Sequence, residues 1–169
     1  MKLTELFIAE IDREAPLTRR ALEVVPAGRA DWKPHPRSMP LGYLSSLVAM
    51  MPSWLTMEVE QDEFDLKPPP GTPSRFARTF DTAAALVEAM DEGFAGARQA
   101  LQRTTDEHLM KPWQLKVAGQ VVMNAPRHVM LRDSLMHLSH HRGQLTVYLR
   151  LNDIKVPAIY GPSADDQRF

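Results

Sequence analysis

The sequence predicts an all-α protein in which four long helices form a bundle. Three observations lead to this class: four stretches carry apolar residues at helical spacing, only one short stretch alternates as a strand does, and proline-rich segments separate the helices. The chain has 169 residues, of which 44% are hydrophobic and 24% are charged. One domain over residues 1–169 is therefore expected, with enough chain to bury a core.

The first two helices are predicted in the first third of the chain. The first covers about residues 4–25, and Pro26 ends its apolar pattern. A proline-rich connector over residues 32–40 leads into the second helix, which covers about residues 41–59. Pro52 lies inside this second helix, and because proline removes a backbone donor it should kink the helix or shift its start.

The other two helices are predicted in the second half of the chain. The third covers about residues 80–101 and follows a stiff proline-rich loop over residues 68–73. Apolar and polar residues alternate over residues 113–123, as they do in a strand, and Gly119 marks a turn. This stretch is interpreted as a short hairpin or an irregular loop. The fourth helix covers about residues 126–152, and an ordered coil is expected after it.

The charge and composition exclude several classes of partner. The formal net charge is -1, so the chain has no overall positive field that would attract nucleic acid or an anionic membrane surface. No run of about 18 apolar residues is present, and the N-terminus lacks the basic and apolar regions of a signal peptide. The absence of cysteine excludes disulfides and thiolate ligands within the chain. A cytoplasmic protein that binds neither nucleic acid nor membrane is therefore expected.

Two histidines of the predicted fourth helix form the strongest candidate site. His137 and His141 are four residues apart, so their side chains share one face of the helix. Both lie beside the apolar stripe of that helix, whereas His140 lies further from it. Two neutral imidazoles in this arrangement can bind one divalent metal ion. His137 and His141 are therefore predicted as metal ligands on the inward side of the bundle.

The residues around this pair leave other interpretations open. Asp133 and Gln144 lie on the same stripe, where either could orient a histidine or donate to a ligand. Alternatively, the pair belongs to a set of hydrogen-bonded polar residues on a helix surface, without chemistry of its own. The HxxxH spacing is a weak motif by itself, because Leu138 stands where the zinc proteases carry a glutamate.

The fourth helix also has a second line of apolar residues. This line consists of Val129, Met136, Val147 and Leu151, and Gly143 beside it permits the close approach of another helix. One apolar face is enough for the core of a bundle, so a second face predicts a homodimer. The alternative is that the hairpin or the C-terminal tail covers this face.

Several motifs resemble those of the DinB-like four-helix-bundle family. The stretch HLSHHRGQL at residues 137–145 and the segment at 156–165 resemble the last helix and the tail of that family. The sequence WKP at residues 32–34 and the sequence SMPLG at 38–42 resemble the stretch that leads into its second helix. The resemblance extends from about residue 30 to the end of the chain, and the motif in the fourth helix is its most specific part.

The resemblance implies a fold, a metal and a chemistry. It implies an up-down-down-up bundle that is frequently dimeric. It also implies a divalent metal ion, zinc or nickel, held by one histidine from the second helix and two from the HxxxH motif, here His137 and His141. Characterised relatives include transferases and isomerases that use low-molecular-weight thiols, and many members have no known activity. A low-molecular-weight thiol is thus the second cofactor that the resemblance implies.

The second helix departs from the family pattern at one position. Alignment of the preceding residues places Leu47 where the family usually has its first histidine, and leucine cannot ligate a metal ion. A catalytic zinc normally takes three protein ligands and a water molecule. Asp133 in the fourth helix or His35 in the connector could supply the third ligand, with His108 and His128 as further alternatives.

Two kinds of function are compatible with the sequence. The first is a metal-dependent enzyme of the thiol-transferase or hydrolase type, with a partly degenerate three-histidine site. The second is a non-catalytic bundle, either a small-molecule-binding protein or a structural dimer, that has lost its metal through Leu47. The tryptophans, Trp32, Trp54 and Trp113, are expected to pack in the core, although they could line a pocket for such a molecule.

Overall fold

The computed structural model describes residues 1–69, 71 and 79–168 and shows a mostly helical chain, as predicted. Its elements, numbered along the chain, are α1 (Leu3–Glu23), α2 (Leu41–Met50), α3 (Pro52–Glu60), β1 (Glu63–Asp65), α4 (Ala83–Arg103), α5 (Asp106–Leu109), β2 (Pro112–Val117), β3 (Gln120–Pro126) and α6 (Arg127–Leu151). The helix α4 packs against α1, α2 and α3, and α6 packs against the same three helices from another side.

The predicted second helix is divided at Pro52. The helix α2 ends at Met50, and α3 begins at Pro52, where the missing N–H of proline loses nothing because first-turn donors have no partner within a helix. At this point α4 passes so closely that a Cβ on Gly93 would lie 2.9 Å from the backbone nitrogen of Ser53. The prediction of a kink or a shifted start at Pro52 is confirmed.

The predicted third helix begins later than its apolar pattern indicates. The Thr82 hydroxyl accepts a hydrogen bond from the Ala85 N–H and caps α4, so the helix starts at Ala83 and not at residue 80. Phe80 instead donates its backbone N–H to the Ser46 hydroxyl and packs against the core. In the predicted proline-rich loop, residues 70, 72 and 73 lie outside the described part of the chain.

A three-stranded sheet corrects the all-α prediction. The strands β2 and β3 pair antiparallel around a turn at Ala118 and Gly119, both with positive φ, so the hairpin predicted over residues 113–123 is confirmed. The strand β1 adds in parallel to the other edge of β2, with Glu63 opposite Gln114. Because β1 has only three residues and pairs with a segment far away in sequence, local alternation gives no signal for it.

Two groups of buried side chains make up the interior. The larger group lies between the long helices, and Leu47 and Trp32 are partly buried against it. The smaller group consists of Met57 from α3, Trp113 from β2 and Met130 from α6, and it joins the sheet to the bundle. None of the helices within the described residues is both long and apolar enough to cross a bilayer.

Candidate functional site

The two predicted metal ligands are in direct contact. The Nε2 atoms of His137 and His141 lie 2.8 Å apart, and the ring centroids are 4.5 Å apart. The other ring nitrogen of His141, Nδ1, donates to Gln144 Oε1 at 2.8 Å. Because a neutral imidazole has one N–H, Nε2 of His141 is then the acceptor and Nε2–H of His137 is the donor. Gln144 therefore orients His141, which is one of the roles predicted for it.

The burial of the histidines differs from the prediction in one respect. His141 is buried, with 8% of the residue exposed, and His140 is exposed, both as predicted. His137 is exposed as well, because it stands in the wall of an open cavity and not in the core. Burial of part of its ring, together with the imidazoles of His141 and His140, lowers the pKa of His137 from its ordinary value.

A cavity of about 320 Å³ lies between α3, α6 and the sheet, next to His137. Most of its wall is apolar, and three aromatic rings contribute to it, those of Trp54, Phe64 and Trp113. The ring centroids of Trp54 and His137 are 5.8 Å apart. The polar side chains of the wall are those of Glu58, Asp133, Ser134 and His137. An apolar volume of this size with few polar groups is typical of a small-molecule pocket.

Glu58 is the polar residue of this wall that the sequence analysis missed. It is 3% exposed, and its Oε1 accepts a hydrogen bond from the Ser134 hydroxyl at 2.6 Å, while Oε2 has no hydrogen-bond partner among the described residues. Burial raises the pKa of Glu58 to about 8, with a further contribution from Asp133 and against the opposing effect of the Ser134 hydrogen bond. Its position three residues after Leu55, on an apolar helix face, was the available sequence signal.

No third metal ligand joins His137 and His141 within the described residues. Leu47 is partly buried against the main core and offers no ligand atom. Asp133 lines the cavity but accepts hydrogen bonds from the guanidinium of Arg132. The described side chains therefore do not fit a three-histidine centre, and metal binding by His137 and His141 stays a prediction.

The other histidines considered as third ligands are engaged elsewhere. His35 Nδ1 accepts a backbone N–H from its own connector at 3.2 Å. The Nε2 of His108 lies 2.8 Å from the Val59 carbonyl oxygen, and the Nδ1 of His128 lies 3.2 Å from the Leu109 carbonyl oxygen. Because a carbonyl oxygen only accepts, each of these two nitrogens carries the proton and donates.

A buried ion pair fixes the helix that carries the histidine pair. Arg142 of α6 and Glu14 of α1 lie 2.7 Å apart, with 1% and 7% of their side chains exposed. Arg142 also donates to the Thr18 hydroxyl at 2.8 Å and to the Tyr160 hydroxyl at 2.6 Å. Tyr160 in turn donates to Glu14 at 2.9 Å. The network thus ties α1, α6 and the C-terminal tail together beside His141.

The fold and the site define a class: helical bundles whose last helix carries an HxxxH histidine pair beside a small-molecule-sized cavity. The model of the DinB family matches residues 4–168, which is nearly the whole chain. The protein belongs to the DinB family.

Two solved structures have a similar fold. A DinB-like protein from Bacillus cereus ATCC 10987 superposes with a TM-score of 0.70 at 20% identity, over 92% of this chain and 97% of its own. The DinB-like protein YjoA from Bacillus subtilis gives a TM-score of 0.67 at 17% identity, over 97% and 99%. At these identities the two structures support the fold alone.

The similar sequence is that of the uncharacterized protein YrdA from Bacillus subtilis (strain 168). It is 34% identical over 68 residues, which are 40% of this chain and 38% of YrdA. The match therefore spans well under half of either protein.

Proposed function

We propose that this chain is a small-molecule-binding member of the DinB family whose ligand occupies the cavity between α3, α6 and the sheet. The observation that carries the proposal is a buried carboxyl group, that of Glu58, in the wall of an otherwise largely apolar cavity. Burying a polar group without its full set of partners costs free energy, so such a group calls for a functional explanation. Trp113 Nε1, in the same wall, is also buried without a partner among the described residues.

The composition of the wall indicates how a ligand is held. Its aromatic, leucine and methionine side chains offer apolar surface, which supplies most of the affinity in small-molecule pockets. The Ser134 hydroxyl donates to Glu58 and Nε2–H of His137 donates to His141, so the Ser134 oxygen and Nδ1 of His137 remain as acceptors that can orient a donor group of a ligand. His141 holds the His137 ring through the contact between their Nε2 atoms.

Filling the cavity should weaken binding. Leu115 of β2 lies in the wall, and Leu115→Trp replaces its small aliphatic side chain with a larger indole ring. We expect the affinity for 2-phenylethanol, a neutral probe with one ring and one hydroxyl, to fall at least about tenfold in titration calorimetry. The control is Val122→Trp on β3, because Val122 is 57% exposed and does not line the cavity. Unchanged affinity in Leu115→Trp would contradict the proposed site.

One observation favours a second candidate, a metal-dependent enzyme of the thiol-transferase or hydrolase type. The Nε2 atoms of His137 and His141 converge, and Gln144 sets the tautomer that leaves the Nε2 lone pair of His141 directed at His137. Such an enzyme needs zinc or nickel and a third protein ligand in the place of Leu47, and the thiol-transferase type also needs a low-molecular-weight thiol.

A histidine at position 47 tests this candidate. We expect Leu47→His to bind zinc or nickel at least about tenfold more tightly than the wild type, or about 1.4 kcal/mol. The metal-free variant should lose up to roughly 1.5–3 kcal/mol of unfolding free energy, and added metal should restore stability because it binds the folded site. Titration calorimetry and thermal melts measure both effects, with Leu47→Gln as the control without an imidazole. Equal metal affinity in wild type and Leu47→His would contradict the alignment of Leu47 with the missing ligand.

We also propose a cytoplasmic homodimer that forms through α6. The apolar side chains of Met136, Val147 and Leu151 are 64%, 57% and 55% exposed, and a Cβ on Gly143 would meet no described atom within 4 Å. Large apolar side chains grouped on one exposed face favour a partner surface. Light scattering at micromolar concentration should give a mass near twice 19.1 kDa, and Val147→Glu should give a monomer. A monomeric wild type would refute the dimer.

A further inference from the structure

The described wall of the cavity contains acidic side chains without strongly basic ones. Glu58 and Asp133 belong to the wall, whereas none of its described residues is a lysine or an arginine. Two nearby cations among the described residues are already paired: Arg132, which is 61% exposed, pairs with Asp133 of the wall, and Lys116 of β2 pairs with Glu63. The described wall therefore presents carboxyl groups to a ligand and no lysine or arginine.

Aromatic rings surround the same space. Trp54 of α3, Phe64 of β1 and Trp113 of β2 contribute from three different elements, and methionine and leucine side chains complete the wall. The face of an aromatic ring attracts a cation, most strongly for tryptophan and more strongly when the site is desolvated. Aromatic rings that enclose a space beside a carboxyl group are a common arrangement for binding organic ammonium ions.

We propose that the ligand of this cavity is an organic monoamine in its ammonium form, with an apolar body that fits a volume of about 320 Å³. The inference rests on the proposed small-molecule function and specifies the class of ligand. The ammonium group lies beside Glu58, and the apolar body packs against Trp54, Phe64 and Trp113.

The burial and the raised pKa of Glu58 support an amine as the ligand. Burial raises the pKa of Glu58 to about 8, so without a nearby positive charge its carboxyl group is mostly protonated at pH 7. The positive charge of an ammonium ion favours the carboxylate form, so Glu58 releases its proton to solvent when the amine binds, and one of the N–H donors of the ammonium group would satisfy Oε2. Oε2 is covered by neighbouring atoms, so this contact requires a rotation about the last side-chain bond, a broad and soft torsion in glutamate.

Other ligand classes fit the wall less well. An anion would face the carboxyl groups of Glu58 and Asp133 and would find no lysine or arginine among the described residues of the wall. A polyamine would bury additional charges against apolar side chains, at a high desolvation cost. A neutral molecule gains the apolar contacts but brings no positive charge, so Glu58 keeps its proton at pH 7 and no charge attraction is added.

Three probes of similar shape and different charge test the inference. At pH 7, 2-phenylethylamine is a cation, 2-phenylethanol is neutral and phenylacetate is an anion. We expect titration calorimetry on the wild type to give an amine affinity at least about tenfold above that of the alcohol, with phenylacetate weakest. Glu58→Gln keeps the size of the side chain but cannot ionise to pair with the ammonium group, so the preference for the amine over the alcohol should fall to about threefold or less. Glu60→Gln, exposed on the same helix, is the control and should keep the wild-type preference.

The outcomes separate this inference from the function on which it rests. If the alcohol binds as tightly as the amine and Leu115→Trp weakens both, the cavity is a binding site but the amine preference is refuted. If none of the three probes binds the wild type, both proposals are refuted. If the amine is preferred and Glu58→Gln keeps that preference, the role of Glu58 is refuted. The wild-type comparison decides the ligand class even if Glu58→Gln fails to fold.

Discussion

Arg142→Met is expected to lower the unfolding free energy by about 3–5 kcal/mol in urea denaturation, since it leaves a buried carboxylate without its partner. Arg142 and Glu14 are almost completely buried, and Arg142 also donates to Thr18 and to Tyr160. The variant removes every one of these bonds while keeping much of the apolar stem of the side chain. The loss should also loosen the tail, because Tyr160 then has only Glu14 and Ser139 as hydrogen-bond partners among the described residues.

Two further variants separate the buried charge from a general effect of mutation. Arg150→Met lies on the same helix and removes the ion pair with Asp165, whose side chains are 47% and 22% exposed, so its cost should not exceed about 1 kcal/mol. The double variant Glu14→Met with Arg142→Met removes both buried charges and should recover a large part of the loss. A cost for Arg142→Met as small as that for Arg150→Met would show that the buried pair contributes little.

Glu58→Gln is expected to change how stability depends on pH. Burial raises the pKa of Glu58 to about 8, whereas an unfolded glutamate titrates near its ordinary value of 4.5. Between these two values the folded state keeps a proton that the unfolded state releases. The contribution of Glu58 to the unfolding free energy therefore falls as the pH rises, by up to about 1.4 kcal/mol per pH unit.

Glutamine has no such proton to lose, so the variant should gain stability relative to the wild type as the pH is raised. We expect the two proteins to be similar near pH 5 and the variant to be more stable by a few kcal/mol near pH 8, measured by urea denaturation across that range. The depressed pKa of His137 acts in both proteins and cancels in the difference. Glu60→Gln should follow the wild type, and a difference between Glu58→Gln and wild type that is independent of pH would refute the prediction.

The features that the sequence predicted correctly depend on short stretches of chain. The contact between His137 and His141 follows from their spacing within one helix, and the division at Pro52 follows from the chemistry of proline. The β2–β3 hairpin follows from alternation around Gly119. Each of these signals lies within about a dozen residues, so the sequence alone contains the information.

The features that the sequence did not predict depend on partners far away along the chain. Phe64 lies in the cavity wall because β1 pairs with β2. A strand of three residues is too short for its sequence pattern to predict that pairing. The burial of Glu58 depends on α6 and on the sheet, which together close the space around it. Arg142 of α6 is buried with Glu14 of α1, its partner in the ion pair, and the two residues are more than a hundred positions apart in sequence. Only the assembled fold brings these groups together.

The parallel pairing of β1 with β2 also bears on the order in which the protein folds. Glu63 and Gln114 are neighbours across the ladder but about fifty residues apart along the chain, with all of α4 between them. Closing so long a loop costs conformational entropy before the contacts of a three-residue strand compensate for it. That closure should therefore follow the docking of α4 onto α1 and α3. During refolding the histidine pair, which needs only one helical turn, would exist before the cavity beside it has closed.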